Sequence, residues 1–172
     1  MEWWQILLYA ISIILVIYAF GLFYALECIL TFKERIRKKT LAISILLSEK
    51  KDVLISLYGL MKNDIHDKSI LDNLEKVNSL NLDKLKAKDI EDSLIILTTL
   101  QKQLVMFANS TEYKTSENYN TYFDILSDLD TNYRKLTAVF NSDITGYDYW
   151  RKTPLFRGVF FIFGFREIKR LP

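Results

Sequence analysis

The feature that most constrains this chain is a long uncharged apolar run near its start. From Trp3 to Leu26 no side chain carries a charge, and Gln5 and Ser12 are the only frankly polar ones. A transmembrane helix needs about 20 apolar residues to cross a hydrocarbon core of about 30 Å, so this run spans it with some tilt. We therefore predict a transmembrane anchor over residues 1–32. Trp3 and Trp4 are expected at the headgroup level, where indole rings are favoured.

A cleaved signal peptide is the alternative interpretation of the same run. Such a peptide has a basic start, a short apolar core and a small-residue cleavage site. Here the first residues are Met1 and Glu2, and the apolar run is longer than such a core. Glu27, just before Cys28, also stands where a lipoprotein-type site requires a small residue. The sequence favours an anchor that is not cleaved.

A basic cluster directly after the run predicts the orientation. Residues 33–39 contain five basic residues and one acidic residue. The basic ones are Lys33, Arg35, Arg37, Lys38 and Lys39. Because Lys and Arg that flank a span stay on the cytoplasmic side, we expect a single-pass protein of the cell membrane, with its N-terminus outside and the rest in the cytoplasm.

The charge is distributed unevenly along the chain. The net charge of the whole chain is +2, but residues 33–39 carry +4, residues 40–150 carry −5 and residues 151–170 carry +5. A nucleic-acid binder is basic over its binding domain, so no nucleic-acid partner is expected. Two basic ends around an acidic middle suit contact with anionic headgroups, and chance scatter of solvated Lys and Arg is the alternative.

Hydrophobic spacing of three and four residues predicts an all-α fold. Two prolines and five glycines leave little turn chemistry for a multi-stranded sheet. Four helices are expected, over about residues 3–62, 69–79, 89–108 and 116–151. Asp67 or Ser69 can cap the second, and residues 82–85 are ambiguous between a helical turn and a linker. The predicted fold is a transmembrane helix that continues into an antiparallel up-and-down four-helix bundle over residues 33–153.

One charged residue falls on the apolar seam of the first predicted helix. The seam consists of Ile36, Thr40, Ile43, Leu47, Lys50, Leu54, Leu57 and Met61. A lysine there must extend its amine to water or find a partner. Asp130, next to the seam residue Leu129 of the fourth helix, is the candidate partner if those helices are antiparallel. The sequence thus suggests a buried Lys50–Asp130 ion pair, with extension to water as the alternative.

The end of the chain, residues 154–172, is an aromatic and basic tail. It is too short to span a bilayer, and aromatic residues between basic ones are typical of an interfacial segment. The candidate interfacial residues are Phe156, Arg157, Phe160, Phe161, Phe163, Phe165 and Arg166. The alternative is a tail that packs across the open end of the bundle.

Catalytic and metal-binding patterns are weak in this sequence. His66 is the only histidine, so a nucleophile has no histidine base nearby and no cluster of metal ligands stands out. Asp124 and Asp128 share a helix face, but two carboxylates catalyse only where a buried cleft shifts one pKa. We predict no enzyme, no metal and no cofactor.

Several stretches resemble the LemA family of bacterial membrane-anchored helical proteins. Residues 43–62, ISILLSEKKDVLISLYGLMK, are similar to that family's first motif without a gap. Residues 113–119, YKTSENY, resemble its L-K-A-N-E-N-F, and three further matches follow: Phe140-Asn141 with Tyr147-Asp148, Pro154, and Gly164-Phe165. The departures are Glu49, Ile55 and Ser56, which stand for Arg, Pro and Asn.

The resemblance implies a membrane-anchored antiparallel four-helix bundle with no catalytic residues and no cofactor. It also places Lys50 and Asp130 on the family's Arg and Glu positions. We therefore expect a scaffold or interaction module at the membrane surface, which contacts anionic lipid and an unknown protein partner. The sequence is also compatible with assembly into a homo-oligomer. The alternative function is a non-catalytic regulatory or adaptor subunit of a membrane enzyme such as a protease.

Overall fold

The computed structural model describes residues 2–82, 85 and 87–172, and the regular structure in these ranges is helical. The five α-helices are α1 (Trp3–Met61), α2 (Lys68–Ser79), α3 (Ala87–Asn109), α4 (Glu117–Lys152) and α5 (Arg157–Ile162). A short 3-10 helix, Glu112–Thr115, precedes α4. The prediction of an all-α chain is confirmed for this part of the chain. Of the ambiguous segment 82–85, Leu82 and Leu85 have no regular secondary structure, and residues 83 and 84 lie outside the described part of the chain.

Helix α1 is continuous over 59 residues because no proline interrupts its hydrogen-bond ladder. It ends where Asp64 and Ile65 both donate their backbone amides to the carbonyl of Met61. By length and composition α1 contains one stretch that could cross a membrane, with a mean hydropathy of 2.6. The expected helix, with an apolar first half and a heptad-patterned second half, is thus present as one element.

Side chains satisfy both ends of α2. Asp67 is its N-cap and accepts the backbone amide of Ser69 at 2.8 Å, which settles the choice between two candidate caps. At the other end, Lys51 of α1 donates to the carbonyls of Asn78 at 3.1 Å and Leu80 at 2.9 Å. A cation there suits the exposed carbonyls and the negative end of the helix dipole.

Two compact units divide the chain. Unit 1 contains Met1–Ile36 and Ser142–Ile168, and unit 2 contains Arg37–Asn141 and Lys169–Pro172. Helices α1 and α4 each contribute one segment to both units. Inside unit 2 the predicted seams are buried, with fully enclosed side chains on three helices: Ile43, Leu47, Leu54 and Leu57 on α1, Leu97, Leu100 and Leu104 on α3, and Leu126 and Phe140 on α4.

In unit 1 the first half of α1 lies against the end of α4. The rings of Tyr24 and Trp150 meet edge to face at 5.7 Å, and Phe32 lies over Gly146. Residue numbers therefore rise along α1 as they fall along α4, so these two segments run in opposite directions. The end of α4 thus lies beside the apolar half of α1.

Gly146 has a packing role that its helix propensity does not suggest. A Cβ built at this position would lie 2.5 Å from two atoms of the Phe32 ring. Gly59, in the last turn of α1, has nothing within 4 Å of the same built atom. The close approach of α1 and α4 therefore requires a glycine at position 146, whereas no neighbouring atom requires one at position 59.

We predict opposite effects for Gly59→Ala and Gly146→Ala. Each substitution removes a glycine penalty, about 1 kcal/mol in a helix interior such as that of Gly146 and less in the last turn of a helix, where Gly59 lies. At Gly146 the methyl group also displaces the Phe32 ring, and overpacking costs about 1–3 kcal/mol. Thermal unfolding of the full chain in neutral detergent should show a higher midpoint for Gly59→Ala and a lower one for Gly146→Ala.

The double variant Phe32→Leu/Gly146→Ala is the control for this explanation. The smaller side chain should recover part of the loss caused by Gly146→Ala, because it leaves room for the new methyl group. Equal midpoints for Gly146→Ala and the unaltered chain would contradict a tight contact here.

Candidate functional site

The exposed part of α1 is shorter than a bilayer. From residue 3 to residue 17 every side chain except that of Gln5 is exposed, and the coverage by other parts of the protein begins at Tyr18. About 15 helical residues rise about 22 Å at 1.5 Å each, whereas a hydrocarbon core is about 30 Å thick. A span that starts at Trp3 therefore has to include Tyr18 and Gly21, which the protein itself covers.

The chain segment after α4 supplies this cover. Pro154 lies two residues after the end of α4, and the carbonyl of Thr153 accepts the amides of Phe156 and Arg157, which turns the chain into α5. The hydroxyl of Tyr18 donates to the carbonyl of Leu155 at 3.2 Å, and its ring lies 5.5 Å from that of Phe156. Gly21 leaves the space that Phe156 fills, since a Cβ there would lie 3.3 Å from its ring.

Helix α5 has one face in the protein and one face outside it. Phe160 is 0 % exposed and Phe156 is 8 % exposed, whereas Phe161 and Ile162 are each 83 % exposed. Phe163 and Leu155 are also largely exposed. Of the aromatic residues expected at an interface, Phe156 and Phe160 are thus enclosed by the protein. Phe156 packs on Tyr18 of α1, and Phe160 contacts the rings of Phe156 and Phe165. Phe161 and Phe163 face outward, together with two aliphatic side chains that the sequence analysis did not single out.

A glycine turn folds the end of α5 back on itself. Gly164 has a φ of 75°, a conformation that glycine adopts without a steric penalty. The amides of Gly164 and Phe165 donate to the carbonyls of Phe161 and Phe160, which is a Schellman motif. The turn brings the ring of Phe165 to 5.7 Å from that of Phe160, and the amine of Lys33 lies 5.6 Å above Phe165.

Two hydrogen-bonding side chains of α4 hold the remainder of the tail. In unit 1 the hydroxyl of Tyr147 donates to the carbonyl of Arg166 at 3.0 Å, and burial raises the pKa of Tyr147. In unit 2 the side chain of Asn141 accepts the amide of Leu171 at 3.0 Å and donates to its carbonyl at 2.8 Å. Sequence reasoning missed this anchoring, although both residues belong to motifs that it quoted.

An open cleft of about 830 Å³ lies between the end of α4 and α5, entirely within unit 1. Its lining includes three cations, one carboxylate and two aromatic rings: Arg151, Lys152, Arg157, Glu167, Phe161 and Phe165. The lining of the cleft therefore combines basic and apolar side chains. Sequence reasoning named most of these residues as tail or flank but did not foresee that they enclose a cavity.

The three cations of the cleft differ in how far they are already neutralised. Arg151 forms a close pair with Asp148, at 3.0 Å from Nε and 2.9 Å from a terminal nitrogen. Lys152 lies 3.5 Å from the same carboxyl group and is 60 % exposed. Within the described part of the chain, the Arg157 guanidinium makes no hydrogen bond or ion pair. Arg157 is thus the cation that is most available to a ligand.

The predicted anchor residues lie on the exposed surface of α1. Trp3 and Trp4 are exposed, and so are four of the five basic residues, Lys39 being half-buried. Lys33 and Arg35 belong to unit 1, and Arg35 lies 5.7 Å from the Phe32 ring. Arg37, Lys38 and Lys39 follow on the same helix in unit 2. Arg166 of the tail is exposed as well but does not line the cleft.

A polar network crosses the interior of unit 2. The amine of Lys50, which is 3 % exposed as a residue, lies 2.7 Å from Oδ1 of Asp130. Oδ2 of Asp130 accepts from Gln101 of α3 at 3.0 Å. The structure thus brings the two residues of the suggested ion pair together and adds Gln101 as a second partner of Asp130.

The remaining chemistry of the described residues is sparse. No group of three His, Cys, Asp or Glu side chains is arranged to hold a metal ion among the residues that the structure describes. His66, Asp124 and Asp128 are all exposed. We therefore place the candidate site at the cleft and the tail of unit 1, where the cations and apolar side chains converge.

Comparisons with family models, curated proteins and solved structures give no match to this chain.

We predict that substitution of Asp130 destabilises the protein more than substitution of Lys50. Asp130→Asn leaves a buried ammonium without its counter-charge, and breaking a buried pair costs about 3–5 kcal/mol. The 35 % exposure of the Asp130 side chain lowers this towards about 1–3 kcal/mol. Lys50→Met should cost less, because a hydrophobic residue of similar shape replaces the buried charge. Urea unfolding of the full chain in neutral detergent measures both changes.

The double variant completes a mutant cycle for this pair. Residues in contact typically show coupling of about 0.5–3 kcal/mol. Lys135→Met, on the exposed side of α4, is a matched control that should leave the stability unchanged. Coupling indistinguishable from zero would mean that the Lys50 amine gains nothing from Asp130.

Proposed function

We propose that the protein is a membrane-anchored helical scaffold, attached to one membrane surface at two points. The first point is the apolar half of α1, which would cross the bilayer. The second is the tail around α5, which would insert into the interface beside it. The observation that carries the proposal is the packing of Leu155 and Phe156 on Tyr18 and Gly21, since these α1 residues are needed to complete a span of about 30 Å.

Burial and charge in unit 1 support the second attachment point. Phe161, Ile162 and Phe163 project from α5 without cover from the protein, and exposed apolar side chains in such a group mark an interaction surface. Cationic side chains accompany them, among them Arg157 and Arg166. Apolar insertion with basic residues at headgroup level is the usual composition of an interfacial segment.

The orientation, the bundle and the family are parts of the same proposal. The basic residues 33–39 favour a cytoplasmic position for the chain that follows them. The opposite directions of α1 and α4 in unit 1, and the contact of Lys50 with Asp130 in unit 2, are consistent with an antiparallel four-helix bundle. That arrangement is the one implied by the resemblance to the LemA family, and it would present a helical surface to a protein partner.

We predict that the chain without residues 2–17 still binds anionic vesicles. This truncation removes the exposed part of α1 but keeps Tyr18, Gly21 and every described contact of the tail. The shortened chain should sediment with vesicles that contain phosphatidylglycerol, and less so at high salt, because screening weakens attraction to charged headgroups.

Vesicles of phosphatidylcholine alone are the control for apolar adsorption and should retain less of the shortened chain. Circular dichroism verifies that the truncated protein is folded. A folded chain that ignores anionic vesicles at low salt would contradict the second attachment point.

We predict that a cysteine at position 75 is shielded from an impermeant thiol reagent in intact cells. Glu75 is exposed on α2, so its accessibility depends on the side of the membrane and not on burial. The experiment uses a Cys28→Ala background, which removes the native thiol. Labelling should appear only after the cells are permeabilised, whereas ready labelling of intact cells would place the unit on the outside.

A further inference from the structure

We propose that the cleft between α4 and α5 is a binding site for the phosphate headgroup of a single anionic phospholipid. The inference rests on the proposed two-point attachment and names the ligand of its second point. The phosphate would lie between Arg157 and Lys152, and an acyl chain would run along Phe161. The site is distinct from a diffuse attraction of the basic tail to a charged surface.

The charge of the cleft favours an anion. Three cationic side chains and one carboxylate line it, and Arg151 is held in place by its close pair with Asp148. Glu167 lies 3.9 Å from Arg151, and Asp148 is within 3.5 Å of Lys152, so the three cations exceed these two carboxylates by one positive charge. An arginine without a partner, such as Arg157, can offer two parallel N–H donors to phosphate oxygens.

The surroundings of the cleft favour a lipid over a free phosphate. Phe161, on the cleft wall, is among the most exposed apolar residues of the chain, and Ile162 next to it is equally exposed. Leu155, three residues after Lys152, accepts a hydrogen bond from Tyr18 of the candidate span. Cations at the rim of an apolar surface suit a ligand with a charged head and a hydrocarbon tail. A soluble anion would use only the first of these features.

Two arginines of the tail give a matched pair of variants. Arg157 and Arg166 are both exposed, and within the described residues neither guanidinium makes an ion pair or a hydrogen bond. Arg157 lines the cleft and Arg166 does not. Arg157→Gln and Arg166→Gln therefore remove the same charge from the same segment, and only the first removes it from the proposed site.

The test is native mass spectrometry of the full chain released from nanodiscs of phosphatidylcholine and phosphatidylglycerol. We expect one phosphatidylglycerol to stay bound to each unaltered chain, in preference to phosphatidylcholine. Arg157→Gln should lower this occupancy about tenfold, equivalent to about 1.4 kcal/mol, and Lys152→Gln should lower it in the same direction. Arg166→Gln removes a charge of the attachment surface outside the cleft and should lower the occupancy far less than Arg157→Gln, and millimolar inorganic phosphate should not displace the lipid.

Each other outcome overturns the inference in an identifiable way. Equal losses in Arg157→Gln and Arg166→Gln would mean diffuse electrostatic attraction, which keeps the two-point attachment but removes the site. Displacement by inorganic phosphate would make the cleft a site for soluble anions. Retention of phosphatidylcholine as readily as phosphatidylglycerol would show that the basic residues recognise no headgroup. Failure of the attachment itself is detected separately, by the vesicle binding of the chain without residues 2–17.

Discussion

The thickness of a hydrocarbon core is the constraint on which the arrangement of unit 1 depends. The fully exposed part of α1 is about 8 Å too short to cross it, and the next turns of the helix are covered by Leu155 and Phe156. In the proposed arrangement, part of the tail therefore lies at the depth of the membrane and not beyond it. This explains why the outer face of α5 is apolar although no protein covers it. It also explains why cations accumulate at the end of α4, where the headgroups would be.

Small residues and rings allow the two chain ends to meet in unit 1. Gly21 faces the ring of Phe156, and Gly146 faces the ring of Phe32. A Cβ would be in tight contact with the ring at Gly21, 3.3 Å away, and would clash with it at Gly146, 2.5 Å away. Gly164 permits the turn that returns Phe165 to Phe160. Gly21 thus determines how closely the tail approaches α1, Gly146 how closely α4 approaches it, and Gly164 how the tail turns back on itself. The cleft exists because the chain leaves α4 at Pro154 and returns over the same surface.

The interior of unit 2 contains a buried charged side chain, Lys50, which forms an ion pair with Asp130. The Lys50–Asp130 pair replaces what could be an apolar contact, and such pairs often contribute little net stability. Their better attested role is to specify which helices meet and in which register. Gln101 extends the network to α3 by donating to Asp130, so residues of three helices meet at this carboxylate. A shift of α1 or α4 by one turn would leave the buried amine of Lys50 without its partner.

Much of the architecture was determined by the sequence alone, because it depends on local patterns. The uncharged run, the heptad spacing of α1 and the stop at Pro154 predicted helices whose bounds agree with the structure to within about two residues. The Lys50–Asp130 contact could also be anticipated, because a charge on a buried seam has few solutions. The cleft, the two faces of α5 and the attachment of Leu171 to Asn141 could not. They arise from contacts between residues that are distant in the sequence, 30 positions apart for Asn141 and Leu171 and 137 for Tyr18 and Leu155, or from a turn whose direction hydrophobic periodicity does not predict. Phe160 and Phe161 are neighbours of the same type, and only the tertiary structure decides that one packs inside the protein and the other faces outward.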